Sequence, residues 1–215
     1  MKTLILFFCL AVLSILLAAQ NPGTIVLDPP DKDGGMSTMK AFALRSSARE
    51  FDTTELKLKD LSDLLWAADG INRPESGKRT APSAMNAQDI DIYVFMKTGV
   101  YLYDAGKHTL EFAAEGDHRK AVAGRQENMA KAPVMLVLVS DISRFRSGGD
   151  SLKITWAYAD AGIVSQNIAL YCASAGLATR PRGTMDQEKL RAILQLKDSQ
   201  YPVLNNPVSY KLPDQ

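Results

Sequence analysis

A six-residue run, Val134-Met135-Leu136-Val137-Leu138-Val139, follows Pro133 without one polar interruption. It is far too short to cross a bilayer, which takes about 20 apolar residues in a helix. It shows neither the alternation of a strand with one wet face nor the spacing of an amphipathic helix. Such a run predicts a strand buried on both faces, at the centre of a sheet whose two sides are covered.

The covering elements are written on either side of it. Ser37 caps a short helix over residues 38–44. A second helix spans residues 59–69, with Leu61, Leu64, Leu65 and Ala68 on one face and Gly70 just past its end. Residues 118–131 predict a third helix. Residues 152–175 predict a long one, whose apolar positions cover more than one face and so ask for burial by the fold on one side and by a partner subunit on the other. Asp186 caps a last helix through Leu196. Strands are expected over residues 91–97 and 100–104, around the hairpin signal Thr98-Gly99, and over residues 109–113. Residues 72–88 read as a long loop of the kind that carries function, and residues 201–210 as an extended tail with two prolines. Helices and strands are mixed without regular alternation, so the class is α+β.

The beginning of the chain sets the compartment. Met1-Lys2-Thr3 gives a short positive start, residues 4–19 are apolar apart from Cys9 and Ser14, and Ala18-Ala19 precede Gln20. This is the plan of a signal peptide over residues 1–19, which implies export to a periplasm or the medium; a retained membrane anchor is the alternative. Residues 20–35 read as a flexible linker and residues 36–215 as a single domain. Loss of the leader removes Cys9 and leaves Cys172, so no internal disulfide is expected, and Cys172 on an apolar helix reads as core. With 25 basic and 24 acidic residues the charge is balanced. It offers nothing to nucleic acid, and any anion site must be local.

Three segments could carry chemistry. Arg45-Ser46-Ser47-Ala48-Arg49 places two guanidinium groups and two hydroxyls within five residues at a helix end. Arginine's planar fork of donors matches phosphate oxygens and serine hydroxyls complete such a shell, while a solvated turn is the other reading. Thr80-Ala81-Pro82-Ser83-Ala84-Met85-Asn86-Ala87-Gln88 sets two side-chain amides among small residues. An amide donates and accepts at once, which suits the edge of a flat heterocycle; a plain polar loop is the alternative. Gly176-Leu177-Ala178-Thr179-Arg180-Pro181-Arg182-Gly183-Thr184 offers backbone donors near two arginines, or an ordinary helix end and turn. There is no dinucleotide glycine fingerprint, no phosphate loop and no nucleophile elbow. His108 and His118 have no partner at metal-ligand spacing and read as surface residues, so no metal is expected.

Taken in order, these segments resemble the nitroreductase family, in the branch related to the dehydrogenases that oxidise azoline rings. Arg45-Ser46-Ser47-Ala48-Arg49-Glu50-Phe51 is similar to the family's opening block, with Ser46 where a second arginine often stands. Leu64 to Ile71, then Arg79-Thr80-Ala81-Pro82-Ser83-Ala84 and Tyr93-Val94-Phe95, resemble its next block and strand. Asp160-Ala161-Gly162, Gln166-Asn167 and Gly176-Leu177-Ala178 resemble its long central helix and exit. The resemblance implies an α+β fold in which a central mixed or antiparallel sheet is flanked by helices, with the long helix at a homodimer interface. It implies FMN as cofactor, NADH or NADPH as electron donor, and ping-pong transfer to a nitroaromatic, a quinone or a similar small acceptor. By position, Arg45, Ser46, Ser47 and Arg49 would hold the FMN phosphate and part of the flavin. Pro82, Ser83 and Asn86, with Gln88 a weaker candidate, would line the flavin partly across the dimer interface. Pro181, Gly183 and Thr184 match the segment whose backbone approaches the flavin N5 edge. No side chain is required as acid or base, so no catalytic residue is assigned.

One departure concerns the end of the chain. Many members close with an Arg or Lys on the phosphate, whereas this chain runs Ser209-Tyr210-Lys211-Leu212-Pro213-Asp214-Gln215. Lys211 is a loose substitute, and Arg180 or Arg182 are the others. Two rivals follow: a flavin dehydrogenase that draws electrons from its own substrate, which export favours, and a non-catalytic ligand-binding or interaction domain on the same scaffold.

Overall fold

A computed structural model describes residues 23–213. The predicted leader over residues 1–19 lies outside the described residues. Among the described residues, no helix is long and apolar enough to cross a membrane.

The chain begins with a two-residue strand, β1 (Ile25–Val26), and a short helix, α1 (Thr38–Leu44), whose cap Ser37 accepts the Lys40 N–H as expected. Helix α2 (Leu58–Asp69) follows, then a small hairpin of β2 (Ile71–Arg73) and β3 (Lys78–Arg79). Strands β4 (Ile90–Met96), β5 (Gly99–Asp104) and β6 (Thr109–Glu115) form a meander, and the short helix α3 (Arg119–Ala123) leads to β7 (Val134–Asp141). The long helix α4 (Asp150–Ser174), β8 (Leu177–Thr179), α5 (Gln187–Ile193) and β9 (Gln200–Tyr210) complete the chain. The main sheet has seven strands in the order β1-β6-β5-β4-β7-β9-β8, and every pairing in it is antiparallel.

The apolar run behaves as its composition requires. All eight residues of β7 are buried. Alternation along the strand sends Val134, Leu136 and Leu138 to one face, where Leu61, Leu64 and Leu65 of α2 and Val164 and Ile168 of α4 pack. Met135, Val137 and Val139 point to the other face, against Val122 and Ala123 of α3 and Leu190 of α5. Helices therefore cover both sides of an antiparallel sheet, the α+β arrangement expected. Gly70 ends α2 for a steric reason: a Cβ there would lie 2.4 Å from Trp66 Cδ1 and 2.7 Å from Trp66 O.

Several local readings are corrected. The expected helix over 118–131 is broken at Gly124, whose φ of 57° ends α3, and resumes as a 3-10 turn at Glu127–Lys131. The loop over 72–88 contains the β2–β3 hairpin and a 3-10 turn at Ala84–Asn86. The last predicted helix stops at Ile193, before a turn in which Gln195 has φ 51°. The two-proline tail is an interior strand, β9, between β7 and β8. Proline is tolerated there because β8 reaches only Val208 to Tyr210, and Asn205 directs its N–H away from β7, to Arg182 O at 2.7 Å. Pro207, two residues on, would aim its missing N–H the same way, and Pro202 sits at a bulge in the β7–β9 register.

From Gly23 onward the expected linker is fixed to the domain. Its strand β1 pairs with β6, Leu27 is buried, and the amides of Asp28 and Asp31 donate to Ser62 Oγ (3.0 Å) and Asp63 Oδ1 (2.8 Å). His108, read as a surface residue, is half-buried in this joint. Its Nε2 lies 3.0 Å from Asp28 O and its Nδ1 2.9 Å from the Tyr103 hydroxyl. The carbonyl can only accept, so Nε2 carries a proton and Nδ1 takes the Tyr103 O–H.

Candidate functional site

Three segments converge at the C-terminal end of α4. The Ala48 N–H donates to Thr179 O (3.0 Å), tying the Arg-Ser-Ser-Ala-Arg segment to β8, and the Lys211 N–H donates to Gly176 O (3.1 Å), bringing the end of the chain to the same place. Between them is a cavity of about 410 Å³. Ser46, Ser47, Arg49 and Lys211 supply its polar lining, and Ala169, Cys172, Ala173 and Gly176 line it with small groups beside the larger Met36, Leu44 and Leu177. Among the described residues no carboxylate lines it, and no salt bridge engages Arg45, Arg49 or Lys211. Unpaired cations and hydroxyls facing a small-walled space make a receptor for an anion joined to a flat ring. Arg45 stands apart: it is the exposed C-cap of α1 and does not line the cavity. Cys172 is fully buried and burial pushes its thiol well above the usual range, so it is wall and not nucleophile.

The second predicted segment is elsewhere. Pro82, Ser83 and Gln88 border a separate space of about 10 Å³ with Asp69, Asp89 and Asp160. Both clusters rest on α4, but Asp160 and Cys172 are twelve residues apart on it, which is about 18 Å along the axis. Within one protomer the two sets do not meet. The loop is built under strain, with Met85, Asn86 and Gln88 at φ 54°, 53° and 48°. It is held by the Gln88 N–H donating to Ser83 Oγ (2.8 Å), Gln88 Nε2 to Gly77 O (2.9 Å), Arg144 Nη1 to Gln88 O (2.9 Å) and the Ala84 N–H to Asp160 Oδ2 (2.9 Å). Half of the Gln88 amide is thereby spent on the fold, whereas Asn86 is exposed.

Pro181, Gly183 and Thr184 are exposed after β8, and the added Cβ at Gly183 would meet nothing within 4 Å. Arg182 between them is buried, and its guanidinium donates to Ala123 O (2.8 Å), Asn205 Oδ1 (2.8 Å), Gln126 Oε1 (3.0 Å) and, at 3.4 Å, Val122 O. It serves the end of α3 on the other face of the sheet and is not free to hold a phosphate. Of the three substitutes for a basic C-terminus, Lys211 is the one that lines the cavity.

Sequence reasoning missed the buried carboxylates. Asp69 is paired with Arg79, yet burial outweighs that attraction and pushes it up to about 7. Asp89 is fully buried, with Ser140 Oγ donating to its Oδ2 at 2.5 Å. The available signal was Asp160 itself, an acid on the face of α4 that Ala157, Ala161 and Val164 bury.

Comparison with known proteins agrees with this architecture. The sequence model of the Nitroreductase family matches residues 43–209. A nitroreductase-family relative from Methanocaldococcus jannaschii is 32% identical over 177 residues, covering 78% of this chain and 88% of its own. A crystal structure of a nitroreductase-family protein from Ralstonia eutropha superposes with a TM-score of 0.82 at 38% identity, over 88% of this chain and 90% of that one. A chain of the E. coli microcin synthetase complex, solved with a truncated pro-microcin bound, shares the fold with a TM-score of 0.69 at 19% identity, over 86% and 77%. With a family match that runs from the end of α1 to the end of β9, the chain belongs to the nitroreductase family and, with it, to the oxidoreductases.

Proposed function

We propose that the protein is an FMN-dependent oxidoreductase that passes electrons from NADH or NADPH to a small acceptor such as a nitroaromatic or a quinone, working as an exported homodimer. The observation that carries this reading is the cavity at the end of α4, where Ser46, Ser47, Arg49 and Lys211 face small residues with no carboxylate among them. The donor set suits a phosphate, and Ala169, Ala173 and Gly176 leave a wall without bulk for a flat ring, so the residues fit FMN.

In this reading Arg49 and Lys211 neutralise the phosphate and the two serine hydroxyls orient it. Arg45, exposed beside them, adds to the local field. Bound FMN supplies the hydride and electron chemistry; the chain's part is to hold, orient and exclude water. Pro82, Ser83, Asn86 and Gln88 reach a cofactor only from a second copy of the chain. Exposed apolar residues on α4 and α1 support such a copy. Tyr158, Ala159, Gly162 and Ile163 form an exposed stripe on α4 that asks for cover, and Met39 and Phe42 of α1 are exposed as well. Two α4 helices packed about a two-fold axis would bring the loop near Asp160 of one toward the cavity near Cys172 of the other.

The test is spectroscopic. The chain from Gln20 onward, mixed with FMN and desalted, is expected to retain flavin absorbance that bleaches on anaerobic addition of NADH or NADPH. Retained bands that do not bleach would transfer the proposal to a dehydrogenase fed by its own substrate, and no retained flavin would refute it. Arg45→Ala with Arg49→Ala removes one charge-assisted contact and a neighbouring charge and is expected to weaken FMN binding by roughly 10- to 100-fold with the far-UV spectrum unchanged.

A further inference from the structure

Beneath the strained Pro82–Gln88 loop two acids face each other in the protein interior. Asp89, on the segment leading into β4, is fully buried, and Asp160 on α4 is 4% exposed. Ser140 of β7 satisfies Asp89 Oδ2, and the Ala84 N–H satisfies Asp160 Oδ2. Asp89 Oδ1 has no donor among the described residues, and the Asp160 carboxyl borders the same space of about 10 Å³ and acts on Asp89 as a neighbouring acid. Two bare carboxylates in such contact repel strongly, whereas one proton between them gives Oδ1 its missing partner.

We propose that Asp89 and Asp160 share one proton, and that this proton fastens the Pro82–Gln88 loop to α4, making the pair a positioning device for the face that the loop presents to the cofactor. That last step rests on the reading of the loop as part of an FMN site; the fastening does not. The loop needs such a fastening because its three left-handed residues favour release. With the proton in place, Asp160 stays close to Asp89 and accepts the Ala84 N–H. Without it, repulsion between the carboxylates drives Asp160 away and Ala84 loses its partner.

The surroundings retain the proton. Burial is the first influence on Asp89 and pushes it up to about 7; Ser140 opposes this and Asp160 adds to it. Asp69 from the end of α2 borders the same space and is held by Arg79. Arg144, three residues past β7, is engaged by Asp91 at 2.6 Å and by Gln88 O, and only its longer-range field reaches Asp89. Nothing cationic contacts the pair directly among these groups, so the proton is the neutralising charge.

Amide hydrogen exchange on the flavin-free full chain tests this between pH 6 and pH 9, with protection of residues 82–88 corrected for the chemical exchange rate. In the wild type, protection at Ala84 is expected to fall at least tenfold across that range. Asp160→Asn keeps an oxygen for the Ala84 N–H and offers a permanent N–H to Asp89, and Asp89→Asn offers one to Asp160. Each is expected to hold protection constant with pH, while Asp160→Ala lowers it at every pH. A pH-independent wild type, or the same fall in both Asn variants, would overturn the proposal. FMN affinity followed by fluorescence over the same range separates the two readings: loop release without any flavin binding would sink the cofactor assignment and leave the proton-bridged pair standing.

Discussion

Removing the Arg182 guanidinium should cost the protein a measurable part of its stability while leaving the cavity at the end of α4 untouched. Arg182 is 5% exposed and meets no carboxylate; its charge is spread over the α3 carbonyls, Asn205 Oδ1 and Gln126 Oε1. Those acceptors are not equally dependent on it. Gln126 is exposed and can turn to water, and Ala123 O also accepts the Gln126 N–H at 3.2 Å. Asn205 Oδ1 is fully buried and has no other donor, so truncation strands it at a cost of about 1–3 kcal/mol. Loss of the packed aliphatic stem adds roughly 1–2 kcal/mol in Arg182→Ala, and relief of the buried charge returns some of the total. The expected net loss is about 2–4 kcal/mol for Arg182→Ala and less, about 1–3 kcal/mol, for Arg182→Met, which keeps the stem. Urea unfolding at neutral pH reads this directly: with a slope of about 1–3 kcal/mol per molar, the midpoint of the alanine variant should move down by on the order of 1–2 M. A methionine variant as stable as the parent would refute the reasoning, because it would mean that the buried acceptors do not need the guanidinium. A large loss of FMN affinity in a methionine variant that remains folded would show instead that Arg182 reaches the cofactor.

Two other outcomes follow from surfaces and joints already described. Ile163→Glu sets a charge in the exposed stripe of α4, and two-fold symmetry would set two; light scattering should show the proposed dimer converted to monomer with unchanged helix content, and a persistent dimer would place the interface elsewhere. Burial lowers the basicity of His108, so the folded protein prefers the neutral ring. The stabilisation from that preference is present above the unfolded histidine value, about 6.5, and is lost as pH falls toward the depressed folded value. Limited proteolysis of residues 23–33 should therefore quicken between pH 7 and pH 5 in the wild type and stay level in His108→Gln, whose amide does not titrate; equal quickening in both would remove His108 as the cause.

What could be recognised without coordinates was whatever depends on short-range pattern. The six-residue apolar run had to be a strand with two covered faces, and it is, with alternate residues in separate cores. Ser37 and Asp186 were legible as caps because a cap is a local contract between one side chain and the next turn. The failures share a different cause. Gly124 breaks a helix that the apolar spacing would have continued, and the carbonyls it frees are taken up by Arg182, far along the chain. The segment with two prolines was read as an extended tail, and the shortness of β8 together with the bulge at Pro202 makes it an interior strand. His108 and the buried aspartates were misjudged or missed because their partners, Asp28, Ser140 and Ala84, come from distant segments. At the candidate site, the Arg-Ser-Ser-Ala-Arg segment was visible as a cluster of donors, but the role of Lys211 as a wall of the same cavity depends on the chain returning beside Gly176.

The position of β9 has a bearing on how the protein comes into being. Strand β9 comes last among the regular elements of the described residues and joins β7 to β8, so the sheet stays divided until that segment is in place. Lys211, the residue that follows β9, is held at Gly176, which means that the cavity acquires its second cation only when β9 docks. A chain whose β9 is not yet paired therefore has only part of the receptor, and a ligand that needs both cations would bind after the sheet has closed.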